Sequence, residues 1–162
     1  MGKKVIRITL NTKDINKAIR ELEKYKREFQ KKVDLMLKRL VDAGVEIARN
    51  EVISLGAFDS GKLAGSISSV MYVENNRGLI ITNCDYAAFV EFGTGVVGSN
   101  SPHPTMPWDY DVNSHGEAGW VYYDEEQGRF RWTKGMPSRP FMYNTAKGLE
   151  TKVVEIAREV FQ

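Results

Sequence analysis

From Ile15 onward the chain sets an apolar residue, or Gly44, at steps of three or four, through Ile19, Leu22, Phe29, Val33, Met36, Leu40, Gly44, Ile47 and Leu55. Lysines and glutamates fill the gaps, which is the pattern of one long amphipathic helix. A helix of roughly 40 residues spans about 60 Å, well beyond the diameter of a domain of this length, so it must bend, project or lie against a neighbour. Gly44 is where it can bend or admit another backbone. Lys26 falls on the seam a coiled coil would need and the repeat drifts toward 3.6, so docking on a sheet is expected instead.

The rest of the chain supplies that sheet. Residues 4–10 alternate through Ile6, Ile8 and Leu10 as a half-buried strand does, and Asn11-Thr12 marks a turn that offers the helix its N-cap. The helix should stop at Leu55-Gly56, followed by a loop turning at Ser60-Gly61. Residues 66–74 and 79–83 read as an antiparallel hairpin turning at Asn75-Asn76-Arg77-Gly78. Residues 96–119, rich in Pro, Gly, Ser, Asn and Asp, read as a long irregular loop. Residues 120–123 and 129–133 form a second hairpin, whose aromatics either cover the core or meet another subunit. Ser138-Arg139-Pro140 reads as a helix start with Ser138 as N-cap and proline in the first turn. Its stripe of Met142, Ala146, Leu149, Val153, Ile156 and Val160 should pack on the same sheet. The expected class is α+β, with a long N-terminal and a C-terminal helix on an antiparallel sheet. One domain over residues 1–162 carries an insertion, the loop and aromatic hairpin, at about 96–134.

The most distinctive stretch is Tyr86-Ala87-Ala88-Phe89-Val90-Glu91-Phe92-Gly93-Thr94-Gly95. It suits either a short helix capped by Asp85 or a buried strand, broken at Gly93 and Gly95. Its lone acid, Glu91, is costly to bury without a partner or a covering molecule.

The net charge of +2 hides a split: residues 1–40 carry thirteen Lys or Arg against five Asp or Glu, and the remainder ten against sixteen. Three readings fit: nucleic-acid contact, subunits joined basic surface to acidic surface, or a solvated lysine-rich helix face. For nucleic acid, Lys24, Lys26, Arg27, Lys31, Lys32, Lys38 and Arg39 are interleaved with Glu21, Glu23, Glu28 and Asp34, which breaks a continuous positive stripe. No run is long and apolar enough to cross a bilayer, and the start has no signal-peptide apolar region, so a cytoplasmic site of synthesis is expected. Cys84 is the single cysteine and reads as a small buried thiol.

For catalysis, His103, Asp109, Asp111 and His115 are the ligand types of catalytic zinc or non-haem iron, and would define a metal-dependent hydrolase. They lie among Pro102, Pro104, Pro107 and Gly116, without the rigid element that aims metal ligands. Neither Ser60 nor Cys84 sits in a nucleophile motif, and Gly93-Thr94-Gly95 lacks the lysine of a phosphate loop.

The long helix, the segment Phe58-Asp59-Ser60-Gly61-Lys62-Leu63-Ala64-Gly65-Ser66-Ile67, the Tyr86 to Gly95 run and Gly135-Met136-Pro137-Ser138-Arg139-Pro140-Phe141-Met142 follow in an order that resembles the small tail-component proteins of long-tailed bacteriophages. That family's pattern runs Asp-Thr-Gly-x-Leu-x-x-Ser-Ile, Tyr-Ala-x-x-Val-Glu-Phe-Gly-Thr and Arg-Pro-Phe. Here it falls on Asp59, Gly61, Leu63 and Ser66, on Tyr86, Ala87, Glu91, Gly93 and Thr94, and on Arg139, Pro140 and Phe141, with Ser60 where threonine is usual. The resemblance implies a non-enzymatic virion protein without a cofactor, a head–tail joining or tail-completion protein of the neck. Such a protein would be encoded by a phage or prophage, made in the host cytoplasm, and assembled as a ring around the DNA channel. Its partners would be its own copies and connector and tail proteins, with at most weak contact to DNA and none to membrane. A ring makes Lys24, Arg27, Lys31 and Lys38 on the helix, and Trp120, Tyr122 and Trp132 on the hairpin, the candidate assembly surface. Glu91 is expected to pair with Arg139.

Overall fold

Asn11 begins the described part of the chain by capping the first helix: its Oδ1 accepts the Asp14 N–H at 2.8 Å. The computed structural model describes residues 11–57, 61–105, 118–124 and 127–162. Helix α1 then runs unbroken over Thr12–Ser54, 43 residues, or about 65 Å, and ends at Leu55 where expected. The expected strand at residues 4–10 lies outside the described residues.

After α1 come α2 (Lys62–Ser66), β1 (Ser68–Tyr72), a 3-10 turn (Val73–Asn75) and β2 (Arg77–Ile81). β1 and β2 pair antiparallel from Ser68↔Ile81 to Tyr72↔Arg77. The hairpin turns at Val73–Asn76, two residues before the expected site, and Asn76 takes the left-handed conformation at φ 48°. The Tyr86 run resolves as helix, α3 over Ala87–Phe92, rather than strand. Asp85 is not its N-cap residue; Tyr86 is, and the Asp85 carboxylate accepts the Tyr86 N–H at 3.2 Å. The expected irregular loop opens instead with α4 (Gly95–Asn100).

The second hairpin forms as expected, β3 (Trp120–Asp124) against β4 (Arg129–Thr133). It makes its own two-stranded sheet and does not extend the first. Thr94 and Met136, which flank the expected insertion, form an antiparallel bridge, with N–H to C=O bonds of 2.9 and 3.2 Å. The two ends of the 96–134 segment therefore lie close together.

The chain closes with α5 (Phe141–Phe161). It was expected to pack on the sheet, but it lies mainly along α1, antiparallel to it. Asn144 bonds Glu51 at 2.8 Å, Gly148 faces Ile47, Arg39 pairs with Glu159 at 2.7 Å, and Phe29 meets Phe161 at 5.7 Å between ring centres. α1 has the β1–β2 hairpin on one side and α5 on another, and Gly44 lets both come close. A Cβ there would strike Ile80 and stand 3.0 Å from Leu149. Gly44 thus serves close approach, and the helix continues unbroken through it.

α5 ends at the level of Phe29, so α1 projects beyond it by about 25 Å. There Ile15, Ile19 and Leu22 are 41%, 49% and 55% exposed. The core sits at the other end of α1, where Ala48 and Val52 meet Leu63, Ile67, Cys84, Ala87, Val90 and Phe141. Cys84 is buried, as its type suggested.

Candidate functional site

Helix α5 begins without a cap of its own. Ser138 is not the N-cap expected from sequence; Pro140 stands there and has no polar side chain, leaving the first-turn N–H groups to find other acceptors. Glu91 supplies them from α3. Its Oε2 accepts the Met142 N–H at 2.8 Å and its Oε1 the Tyr143 N–H at 3.0 Å. These are the second and third residues of α5, the donors that an N-cap side chain would satisfy. The positive end of the α5 dipole also favours the carboxylate there. Glu91 is only 7% exposed, and these bonds offset the cost of burying it.

The expected ion pair between Glu91 and Arg139 does not form, because the two α5 amides and His103 occupy the carboxylate. His103 Nε2 lies 3.2 Å from Oε1. Thr105 N–H approaches His103 Nδ1 at 3.4 Å, an arrangement that places the ring proton on Nε2, facing Glu91. The imidazole is buried between Phe92, at 4.9 Å between ring centres, and Tyr143, edge-on at 5.6 Å. Arg139 contributes backbone instead: its N–H bonds Val90 O at 2.8 Å. Ser138 Oγ donates to Glu91 O at 2.6 Å, so α3 and the approach to α5 are joined through side chain and backbone alike.

Gly93 and Gly135 make this junction possible. Gly93, at φ 82°, would bring a Cβ to 2.7 Å from Ser138 N, and a Cβ on Gly135, at φ 101°, would strike Thr94 O. The neighbouring Gly61 to Ser66 segment ties in from the far side. Ser66 Oγ and Thr82 Oγ1 are 2.6 Å apart, and Lys62 Nζ reaches Asp85 Oδ1 at 3.0 Å. That hydrogen bond, helped by the opposite charge, raises the Lys62 pKa above its ordinary value and lowers that of Asp85.

Three motif segments therefore meet in one place. Leu63, Ala87 and Phe141 are buried together in the core, with Tyr86 packed against them. Glu91, Gly93, Thr94, Arg139 and Pro140 build the α3–α5 junction, while Asp59 lies outside the described residues. Beside the junction is an apolar hollow of about 410 Å³, lined by Ala87, Ala88, Phe92, Thr105 and Phe141 with Glu91 and His103 in its wall. The polar atoms of that wall already hold protein groups.

Of the four candidate metal ligands, the structure describes only His103. His103 is committed to Glu91, and Asp109, Asp111 and His115 lie outside the described residues. Among the described residues no group of three or more His, Cys, Asp or Glu is placed to hold a metal ion. Sequence spacing did not reveal the contact of His103 with Glu91, since nothing local ties it to a glutamate twelve residues away.

The candidate assembly residues divide between faces. Lys24, Arg27, Lys31 and Lys38 are all exposed on one side of α1, where Lys24 pairs with Glu28 at 3.9 Å and Lys38 with Asp42 at 2.6 Å. On the second hairpin the register separates Trp120 and Tyr122 from Trp132, which points to the opposite face. Trp120 lies over Gly95 at the hairpin's base.

These features define an α+β protein in which Glu91, Gly93, Thr94 and Ser138 join its own elements. Residues 16–93, from the start of α1 to the glycine after α3, match the family model described as "Bacteriophage HK97-gp10, putative tail-component". The match covers just under half of the chain and is a likeness to that tail-component family. No curated protein and no solved structure matches the chain. No helix among the described residues is long and apolar enough to cross a membrane.

Proposed function

We propose that this protein is a non-enzymatic neck component, a head–tail joining or tail-completion protein that forms a ring around the DNA channel between connector and tail. The observation that carries the reading is the family match over residues 16–93. The geometry agrees with it: Glu91 and His103, the groups most like a catalytic pair, hold two helix amides and each other. Apolar side chains that a finished monomer would bury stand exposed, among them Leu22, Phe130 and Trp132 at 55%, 75% and 57%. Labelling of the protein in assembled virions tests the proposal. Label at the head–tail junction is expected, and label along the tail tube or its absence from particles would refute it.

A second reading, nucleic-acid binding, is favoured by one observation, the exposure of Lys24, Arg27, Lys31 and Lys38 on a common face of α1. Titration with duplex DNA separates the two. Weak binding fits a ring that merely surrounds DNA, whereas tight binding that falls steeply with salt marks a dedicated DNA binder.

A further inference from the structure

In sequence, Glu21, Glu23 and Glu28 interrupt the cations at the start of α1; in the helix they do not. At about 100° per residue, Lys13, Lys17, Arg20, Lys24, Arg27 and Lys31 fall within one arc of about 80°. No other residue between Lys13 and Lys31 lies on that arc. Glu23 stands to one side of it and Asp14, Glu21 and Glu28 to the other. All six cations are exposed. The body packs on the opposite side of α1, where Phe29 meets Phe161 and Ile80 and Leu149 close on Gly44.

The charge of this row is largely unanswered. Among the described residues, Lys24 alone of the six has a carboxylate within reach, Glu28 at 3.9 Å, while Arg20 Nε donates to the Asn16 carbonyl at 3.2 Å. Like charges three and four positions apart repel along a helix, so the row weakens the helix that carries it until an anion arrives. Because α1 is unbroken, the row is straight and about 27 Å long, the length of roughly eight base pairs of duplex.

We propose that this row binds the phosphate backbone of duplex DNA without reading its sequence. An acidic protein surface is the rival occupant, and the make-up of the row favours DNA. Protein interfaces centre on aromatic and apolar side chains and are depleted in lysine, whereas this arc holds cations alone. Lysines on flexible stems neutralise phosphates and carry no base information. The inference rests on the nucleic-acid reading above and names its face and its ligand.

Fluorescence anisotropy of a labelled random-sequence duplex with the full-length protein tests it. Binding is expected in about 50 mM salt and should weaken by roughly 100-fold or more at about 200 mM, as four or five neutralised phosphates require. Lys17→Gln with Lys24→Gln removes two charges from the row at exposed positions, and should reduce the salt slope by about two. Lys147→Gln with Lys152→Gln makes the same change of net charge on exposed sites of α5 and should leave the slope as in wild type. Circular dichroism checks that both variants keep the wild-type fold. If the two pairs lower the slope equally, the row is not the site and the nucleic-acid reading stands on net charge. Absence of binding in low salt overturns both and directs the row to an acidic protein surface.

Discussion

Glu91 accepts the backbone N–H of Tyr143 at 3.0 Å, across 52 positions of sequence, and so performs the capping that Pro140 cannot. The carboxylate belongs to the architecture of α5, and its loss is felt in stability. Glu91→Gln removes the charge at the helix end and leaves a single acceptor oxygen for three donors. A destabilisation of about 2 kcal/mol is expected, read as a lower denaturation midpoint. An unchanged midpoint would show that the two amides find other acceptors.

His103 closes the same junction from the insertion side. His103→Ala opens space between Phe92 and Tyr143 and removes one bond to Glu91, so a loss of roughly 2 kcal/mol is expected. Treatment of wild type with a strong chelator should leave its melting temperature where it was. A fall on chelation, restored by zinc, would revive His103 as a metal ligand.

Gly93 carries a steric demand that can be graded against a control. Gly93→Ala meets both a left-handed φ and the backbone of residues 136–138, and should cost more than about 2 kcal/mol. Gly56, also at positive φ, has open space around it. Gly56→Ala should therefore cost only about 1 kcal/mol, the conformational part alone. Equal losses in the two variants would mean that the close approach at Gly93 relaxes.

The Lys62–Asp85 pair predicts a pH and salt dependence. Asp85 is held below its ordinary pKa, so its contribution is present above the ordinary carboxylate range and is lost as pH falls through the lowered value. Lys62 is held above its ordinary pKa, so its share is present below the ordinary lysine range and is lost as pH rises through the raised value. Asp85→Asn should thus differ from wild type only between these limits, and only slightly, because both side chains are exposed. The difference should vanish in molar salt. A gap that persists in acid would point to the Tyr86 N–H bond rather than the ion pair.

Much of the fold was legible because its signals are local. The apolar steps along α1 and α5, the Asn11 cap and the paired aromatic strands each depend on residues a few positions apart, where backbone geometry alone sets the period. Legible too, by the order of its motifs, was the likeness that the family match over residues 16–93 supports.

Tertiary structure decided what those local signals leave open. Glu91 stood out as an acid in need of a partner, yet its true partners are α5 amides some fifty residues on and a histidine that spacing had grouped with other ligands. Ser138 has the chemistry of a cap and bonds Glu91 O instead, because Glu91 already occupies the helix end. Gly44 could have been a hinge, but it became a contact once Ile80 and Leu149 converged on it. Sequence fixes which residues can carry a charge, a turn or an apolar face, whereas the packing of distant elements selects which unmet hydrogen-bonding group each one answers.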